Sequence, residues 1–243
     1  STQAKTLFPY TTLFRSVPLL KEMYRQMLVI RRVEEAAAKA YAAGKMGGFL
    51  HLGIGQESVC VGAIAALRKE DYVIGTYREH GHAIAKAGAN LDITKGVLAE
   101  LMGKATGISA GMGGSMHMFA RSVGFYGGHG IVGGQIPLGT GLAFAHRYRK
   151  DGGICVAYMG DGAVNQGQVY ESFNMAELWK LPVIYVIENN MWGMGTAIEK
   201  AISVERLAED KAASYGMKGY TFDGMDFFNC YAGFDHVHKE VLK

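Results

Sequence analysis

The stretch that decides the fold is Tyr158–Asn190, YMGDGAVNQGQVYESFNMAELWKLPVIYVIENN. It opens at the end of one apolar run, Gly153–Gly160 (GICVAYMG), and closes at the end of another, Leu181–Glu188 (LPVIYVIE). Both runs are short, rich in branched and aromatic residues, and free of charge until the last position, which suits buried strands. Between them, Ala163–Lys180 predicts a helix with Val164, Val169, Phe173, Met175 and Leu178 facing inward. Strand, helix, strand at this spacing predicts a parallel pair joined by a crossover. A carboxylate, Asp161, sits between two glycines after the first strand, and two amides, Asn189 and Asn190, follow the second.

Working outward, the same alternation continues. Apolar residues recur every three or four positions at Leu20, Met23, Met27, Ile30, Val33, Ala37 and Tyr41, predicting a helix over 18–43 ended by Gly44. Helices are also predicted in 55–67, 94–103, 134–150, 203–216 and 226–242, with an Ala-rich one after the turn Arg78–His82 (REHGH). Strands are predicted in Asp71–Tyr77 and within Gly216–Gly224. The expected class is α/β, a mostly parallel sheet with helices on both faces.

Composition narrows the function. A net charge of +3 on 243 residues gives no case for nucleic acid or an anionic membrane as partner. No apolar run reaches the roughly 18 residues that cross a bilayer. Cys60, Cys155 and Cys230 stand far apart, as buried thiols of a reducing compartment do. Glycine, 34 residues in the whole chain, is concentrated between Gly103 and Gly141, interleaved with Met, Phe, His and Ile, which predicts ligand-facing loops rather than a linker.

In an open α/β sheet, ligands bind beyond the carboxyl ends of the strands. Asp161 and an amide oxygen of the Asn pair would converge there if the two strands are neighbours. One carboxylate plus amide oxygen is hard-oxygen ligation, suited to Mg²⁺ with phosphate oxygens completing its shell. Gly162 and Ala163 open the predicted helix, whose N–H groups could hold a diphosphate. The bland alternative is a turn with Asp161 as helix cap. Haloacid-dehalogenase-like phosphatases also use GDG, but GDGAVNQ lacks their following Asp and the chain lacks their early DxDx[TV] nucleophile.

GDG followed, after 26 residues, by NN resembles the thiamine-diphosphate signature. Together with Gly47–Glu57 (GGFLHLGIGQE), Thr76–His82 (TYREHGH), Gly113–Phe119 (GGSMHMF) and Phe125–Tyr148, it makes the chain resemble the α subunits of 2-oxo acid dehydrogenase E1 components, the pyruvate type above all. The resemblance implies a thiamine-diphosphate-binding fold. It implies Mg²⁺ held by Asp161, Asn190 and the Trp192 carbonyl. Tyr77, Arg78, Gly162 and Ala163 would meet the cofactor diphosphate, Gly130 and Val132 its aminopyrimidine, and Met194 would wedge it bent. His51 would lie at the substrate end, with His80 at a second active-site position.

The activity implied is oxidative decarboxylation of pyruvate with acetyl transfer to a lipoyl-bearing E2. It would need an E1β subunit in an α₂β₂ heterotetramer, because the family's catalytic Glu lies on β and no candidate for it is found here. Acetoin and branched-chain 2-oxo acid E1α chains are the alternatives, as is a non-catalytic assembly subunit. Gly53, where the pyruvate type often has Tyr, bears on substrate choice. The compartment would be the bacterial cytoplasm or the mitochondrial matrix. Residues 6–16 match a translated sequencing adapter, so 1–16 is expected to be an artefactual or disordered tail. Residues 17–243 would be one domain, without the family's C-terminal portion.

Overall fold

The computed structural model describes residues 16–243. The adapter-like stretch therefore lies outside the described residues, except Ser16. That residue caps the first helix, its Oγ accepting the Leu19 N–H at 3.4 Å. Helix α1 (Val17–Ala42) carries Pro18 in its first turn, where the missing N–H costs nothing. Met23, Ile30, Val33 and Ala37 form its buried stripe, as the periodicity predicts, but Tyr41 points outward and donates its hydroxyl to the Gly48 carbonyl. Then follow α2 (Glu57–Ala65), β1 (Tyr72–Ile74), α3 (His80–Lys86), α4 (Leu91–Leu101), α5 (Gln135–Arg149), β2 (Cys155–Gly160), α6 (Gly167–Leu178) and β3 (Val183–Glu188). A two-residue ribbon, β4 (Trp192–Gly193) and β5 (Thr196–Ala197), precedes α7 (Leu207–Ala213) and α8 (Phe227–Val241).

The main sheet is parallel, in the order β1-β2-β3. Its central strand alternates between two cores. Val156 and Tyr158 join the layer packed by α1, α2, α3 and α8; Cys155, Ala157 and Met159 join the layer packed by α5 and α6. Both faces are covered, which is why β2 reads as an unbroken apolar run rather than an alternating one. The small residues of α5 have a purpose here. A Cβ on Gly139 would come within 2.6 Å of the Ala157 Cβ, so only glycine lets this helix lie so close to the sheet. Among the described residues no helix is long and apolar enough to cross a membrane.

Four expectations need correction. The chain after β2 makes a 3-10 turn, Asp161–Ala163, and α6 starts only at Gly167, because Gln166 is extended (ψ 138°) and restarts the helix. Gly162 and Ala163 thus do not open an α-helix. The inward face of α6 is Val169, Ser172, Phe173 and Ala176; Met175 and Leu178 fall off that 3.6-residue stripe, and Leu178 is 70% exposed. Within Arg78–His82, His80 already opens α3 rather than ending a turn. No strand forms in 216–224: its polar side chains bind α7 and α8 instead, Thr221 to Glu209, and Lys218 and Tyr220 to Glu240. A cleft of about 1700 Å³ separates this segment from β3.

The glycine region also differs from expectation in part. The fully buried carboxylate of Glu100 accepts four backbone N–H groups, from Ser109, Gly111, Gly113 and Gly114, at 2.6–3.2 Å. A Cβ on Gly107 would collide with the Glu100 backbone. These glycines wrap the Glu100 carboxyl group rather than facing a ligand.

Candidate active site

Parallel register sets the first geometric fact. Gly160 pairs with Glu188, so Asp161 and Asn189 leave the sheet side by side and Asn190 follows by one residue. The ribbon β4 then folds back on the 3-10 turn, and a Cβ on Gly162 would lie 3.3 Å from the Gly193 Cα. Two glycines therefore let the Asp161 turn and the Asn190 turn touch backbone to backbone. Asn189 and Asn190 each accept an N–H two residues on, from Met191 (3.1 Å) and Trp192 (3.0 Å). These side-chain turns hold the segment in place and leave each amide oxygen a second lone pair. Met191 (φ 70°) and Met194 (φ 54°) both sit in the left-handed region, a strained backbone of the kind found at ligand clamps.

Asp161 is buried, yet its Oδ2 has no hydrogen-bond partner. Burial pushes its pKa up, against backbone N–H groups that pull it down. An ionised, buried, half-satisfied carboxylate is costly unless a cation completes it. No group of three or more His, Cys, Asp or Glu that could hold a metal exists among the described residues. The donor set is one carboxylate with amide and carbonyl oxygens, which fits a hard cation that brings further oxygens with its ligand.

The other predicted residues fall into three places. Met194 is 95% exposed and Trp192 and Val132 are exposed, so none is a core residue. Gly130 donates its N–H to His117 Nε2 at 3.2 Å, and a Cβ there would crowd that ring at 3.1 Å. Arg78 is partly buried rather than a solvated helix-start charge. Its Nη1 donates to the Leu52 carbonyl at 2.6 Å and its guanidinium lies 5.3 Å from the Tyr77 ring centre, leaving most of its donors for an anion. His51 is half-buried, its ring 4.7 Å from Tyr77. Desolvation, then the charges of Arg78 and His80, lower its pKa, so it is a neutral imidazole at neutral pH.

His80, expected at the active site, has no exposed surface, and both ring nitrogens are engaged by Glu34 and Ser115. Neither of those partners was singled out from sequence. Glu34 carried a signal: it stands in the buried stripe of α1 between Ile30, Val33 and Ala37, where a carboxylate needs a partner. Two residues after His80 lies a second unpredicted cluster. His82, Glu188 and Tyr158 are brought together with His82 Nδ1 and Nε2, Glu188 Oε1 and the Tyr158 hydroxyl all lacking partners.

Residues 25–239 match the family model for the dehydrogenase E1 component. The chain belongs to that family. It is 57% identical over 203 residues to the pyruvate dehydrogenase E1 component subunit alpha of Rhizobium meliloti, covering 84% of this chain and 57% of that protein. The protein of the same name from Rickettsia prowazekii is 52% identical over 219 residues, 90% of this chain and 65% of its own length. The mitochondrial one from Saccharomyces cerevisiae is 49% identical over 212 residues, 87% of this chain and 48% of its own. The chain thus spans between about half and two thirds of these relatives. The E1 family assignment agrees with the α/β fold and the parallel sheet.

Proposed function

We propose that this chain acts as the α subunit of a pyruvate dehydrogenase E1 component. In this reading it binds thiamine diphosphate and Mg²⁺, works with a separate β subunit in an α₂β₂ assembly, and passes an acetyl group from pyruvate to a lipoyl-bearing E2. The observation that carries the reading is the unpartnered, buried Asp161 Oδ2 beside the Asn189–Asn190 turn, at the ends of adjacent parallel strands. The names of the relatives support the substrate. The compartment would follow the source, cytoplasm in a bacterium and mitochondrial matrix in a eukaryote.

Each residue then has a task its surroundings suit. Asp161, Asn190 and the Trp192 carbonyl would ligate Mg²⁺. The Gly162 and Ala163 N–H groups and Tyr77 with Arg78 would meet the diphosphate, Arg78 through its remaining guanidinium donors. Gly130 and Val132 would offer backbone groups to the aminopyrimidine, and exposed Met194 would hold the cofactor's shape. Bound thiamine diphosphate supplies the electron sink that decarboxylation of a 2-oxo acid needs. Neutral His51 would donate a hydrogen bond to the carboxylate or keto oxygen of pyruvate.

The test is reconstitution with a cognate β subunit. Calorimetric titration with thiamine diphosphate should show Mg²⁺-dependent binding that Asp161→Ala abolishes. Carbon dioxide release should require β and should favour pyruvate over acetoin and branched-chain 2-oxo acids. Full activity of the chain alone, preference for another substrate, or binding indifferent to Asp161→Ala would each refute the assignment in its own way. Assembly with β but no heat of binding would mark a non-catalytic subunit.

A further inference from the structure

We propose that Glu34, His80 and Ser115 form a buried positioning chain that fixes the His51–Gly53 segment, with His80 held as a doubly protonated imidazolium. This rests on His51 facing the substrate, but its geometry stands independently. Four parts of the sequence meet here: α1, the 51–53 loop, α3 and the glycine-rich region. His80 Nδ1 donates to Glu34 Oε1 at 2.9 Å. Its Nε2 lies 3.0 Å from the Ser115 carbonyl and 2.9 Å from Ser115 Oγ. In this proposal Nε2–H donates to the Ser115 carbonyl, which only accepts, and Nδ1–H donates to the Glu34 carboxylate, so each ring nitrogen carries a proton. The arrangement is a buried ion pair, and Glu34 holds the pKa of His80 up against the opposing effect of burial.

The far ends of this chain grip the loop. Ser115 Oγ accepts the His51 N–H at 3.0 Å, and Glu34 Oε2 accepts the Gly53 N–H at 3.3 Å. Two alternate backbone donors of one segment are thereby tied to the two ends of one buried chain, His51 through Ser115 and Gly53 through Glu34. Arg78 completes the clamp by taking the Leu52 carbonyl at 2.6 Å. All three consecutive residues thus have their backbone held, and the His51 ring is left to face outward beside Tyr77. A loop held this way loses little freedom when a ligand arrives, which favours orientation of the reacting partner.

The charged and titratable neighbours of His80 are few. Glu34 comes from α1 and Ser115, neutral, from the glycine region. Glu79, next in sequence, has its carboxyl pushed up to about 8 by burial and is therefore mostly uncharged at neutral pH. His82, on the same helix, is pushed down to about 4, also by burial, and is neutral. His51 is neutral, its pKa lowered by desolvation and then by the charges of Arg78 and His80. Glu34 is thus the counter-ion that the imidazolium depends on.

The experiment uses the full chain and three variants, Glu34→Gln, Ser115→Ala and His51→Ala. In amide hydrogen exchange, both Glu34→Gln and Ser115→Ala should speed exchange of the peptide spanning 49–53 by about ten-fold, the value of one hydrogen bond. Peptides from β2 and β3 should stay protected, which separates release of the loop from general unfolding. Should Glu34→Gln fail to fold, Ser115→Ala still removes the His51 anchor with the ion pair intact. NMR of the wild type should show both His80 ring protons at pH 7. With a β subunit, Ser115→Ala should lower kcat/KM for pyruvate about ten-fold at unchanged thiamine diphosphate affinity. The Ser115→Ala/His51→Ala pair should be no worse than His51→Ala alone. Unchanged exchange at 49–53 in the folded variants, or additive losses in the double variant, overturns the proposal. Absence of pyruvate turnover in the wild type would refute the functional reading instead, and exchange and NMR would then decide this one.

Discussion

His80 and His82 lie two residues apart on the same short helix, both buried, both facing a carboxylate from another element, and they end in opposite states. His80 meets Glu34 at 2.9 Å, has acceptors on both nitrogens, and its pKa is raised. His82 stands 3.6 Å from Glu188, has neither ring nitrogen in a well-formed hydrogen bond, and is pushed down to about 4 by burial against a weak pull from the Arg78 backbone. Glu188 is itself pushed up to about 7, also by burial, so it offers little charge to rescue its neighbour. A residue type and a helix position do not set charge in a protein interior; the number of satisfied bonds does. One cluster is a finished clamp. The other is a set of polar groups without partners, beside the end of β3 that leads into the Asn189–Asn190 turn.

Breaking the finished clamp should have the largest effect. Glu34→Ala leaves His80 facing two acceptors that cannot neutralise it and removes the acceptor of the Gly53 N–H. The expected loss is about 3–5 kcal/mol, the usual cost of orphaning one member of a buried pair. It would be read as a lower denaturant midpoint at pH 7. Replacing both members with apolar residues, Glu34→Leu with His80→Phe, should recover most of that loss, since no charge is then left unpaired. A double variant as unstable as the single one would mean that packing, not charge, dominates this site.

The second test uses pH, and the two histidines give opposite signs. His80, with its raised pKa, contributes stability that is fully present below the unfolded value near 6.5 and is lost as pH rises through the folded value. His82 is lowered, so the unfolded chain binds more protons and stability is lost as pH falls from about 6.5 to about 4. His82→Phe keeps a ring against Tyr158 and removes the titration. The variant should hold about 3 kcal/mol more stability than the wild type near pH 4, and should converge on it or slightly exceed it at pH 7. Denaturant unfolding across that window measures the difference. Parallel curves would mean that His82 is not neutral in the folded chain.

The same contrast explains what the sequence could tell. The α1 stripe, the two buried runs around α6 and the ligand edge they create were legible, because each depends on local period and on the rule that parallel strands end together. The clamp was not, because residues 34, 80 and 115 are joined only by the fold; the hint was a lone carboxylate in an apolar stripe. The glycines of 107–114 were misread for a related reason. Glycine reports that something approaches closely, and here it is the Glu100 carboxylate rather than a ligand. The 3-10 turn at Asp161 was invisible because the residues that follow it, from Val164, fit a helical period from the start, while Gln166 breaks it by backbone angle alone.

Asp161 offers the smallest and sharpest test of what an orphaned group means. Its Oδ2 is as unsatisfied as the His82 ring, but it belongs to the turn that leaves β2 beside the Asn189–Asn190 turn, where the proposed cation would be held. Because its pKa is raised, the ligand-free chain loses stability as pH climbs above the unfolded value near 4, where the buried carboxyl must ionise without a partner. Asp161→Asn keeps an acceptor for the turn's own N–H groups and removes the charge. Without ligand at pH 7 it should melt later than the wild type, by roughly 1 kcal/mol of added stability. With a β subunit, Mg²⁺ and thiamine diphosphate present, mass action stabilises only the chain that binds. The order should then reverse, with the wild type melting later. A carboxylate whose removal stabilises the empty site and destabilises the filled one is kept for the ligand; a variant that melts earlier in both conditions would make Asp161 a structural turn residue instead.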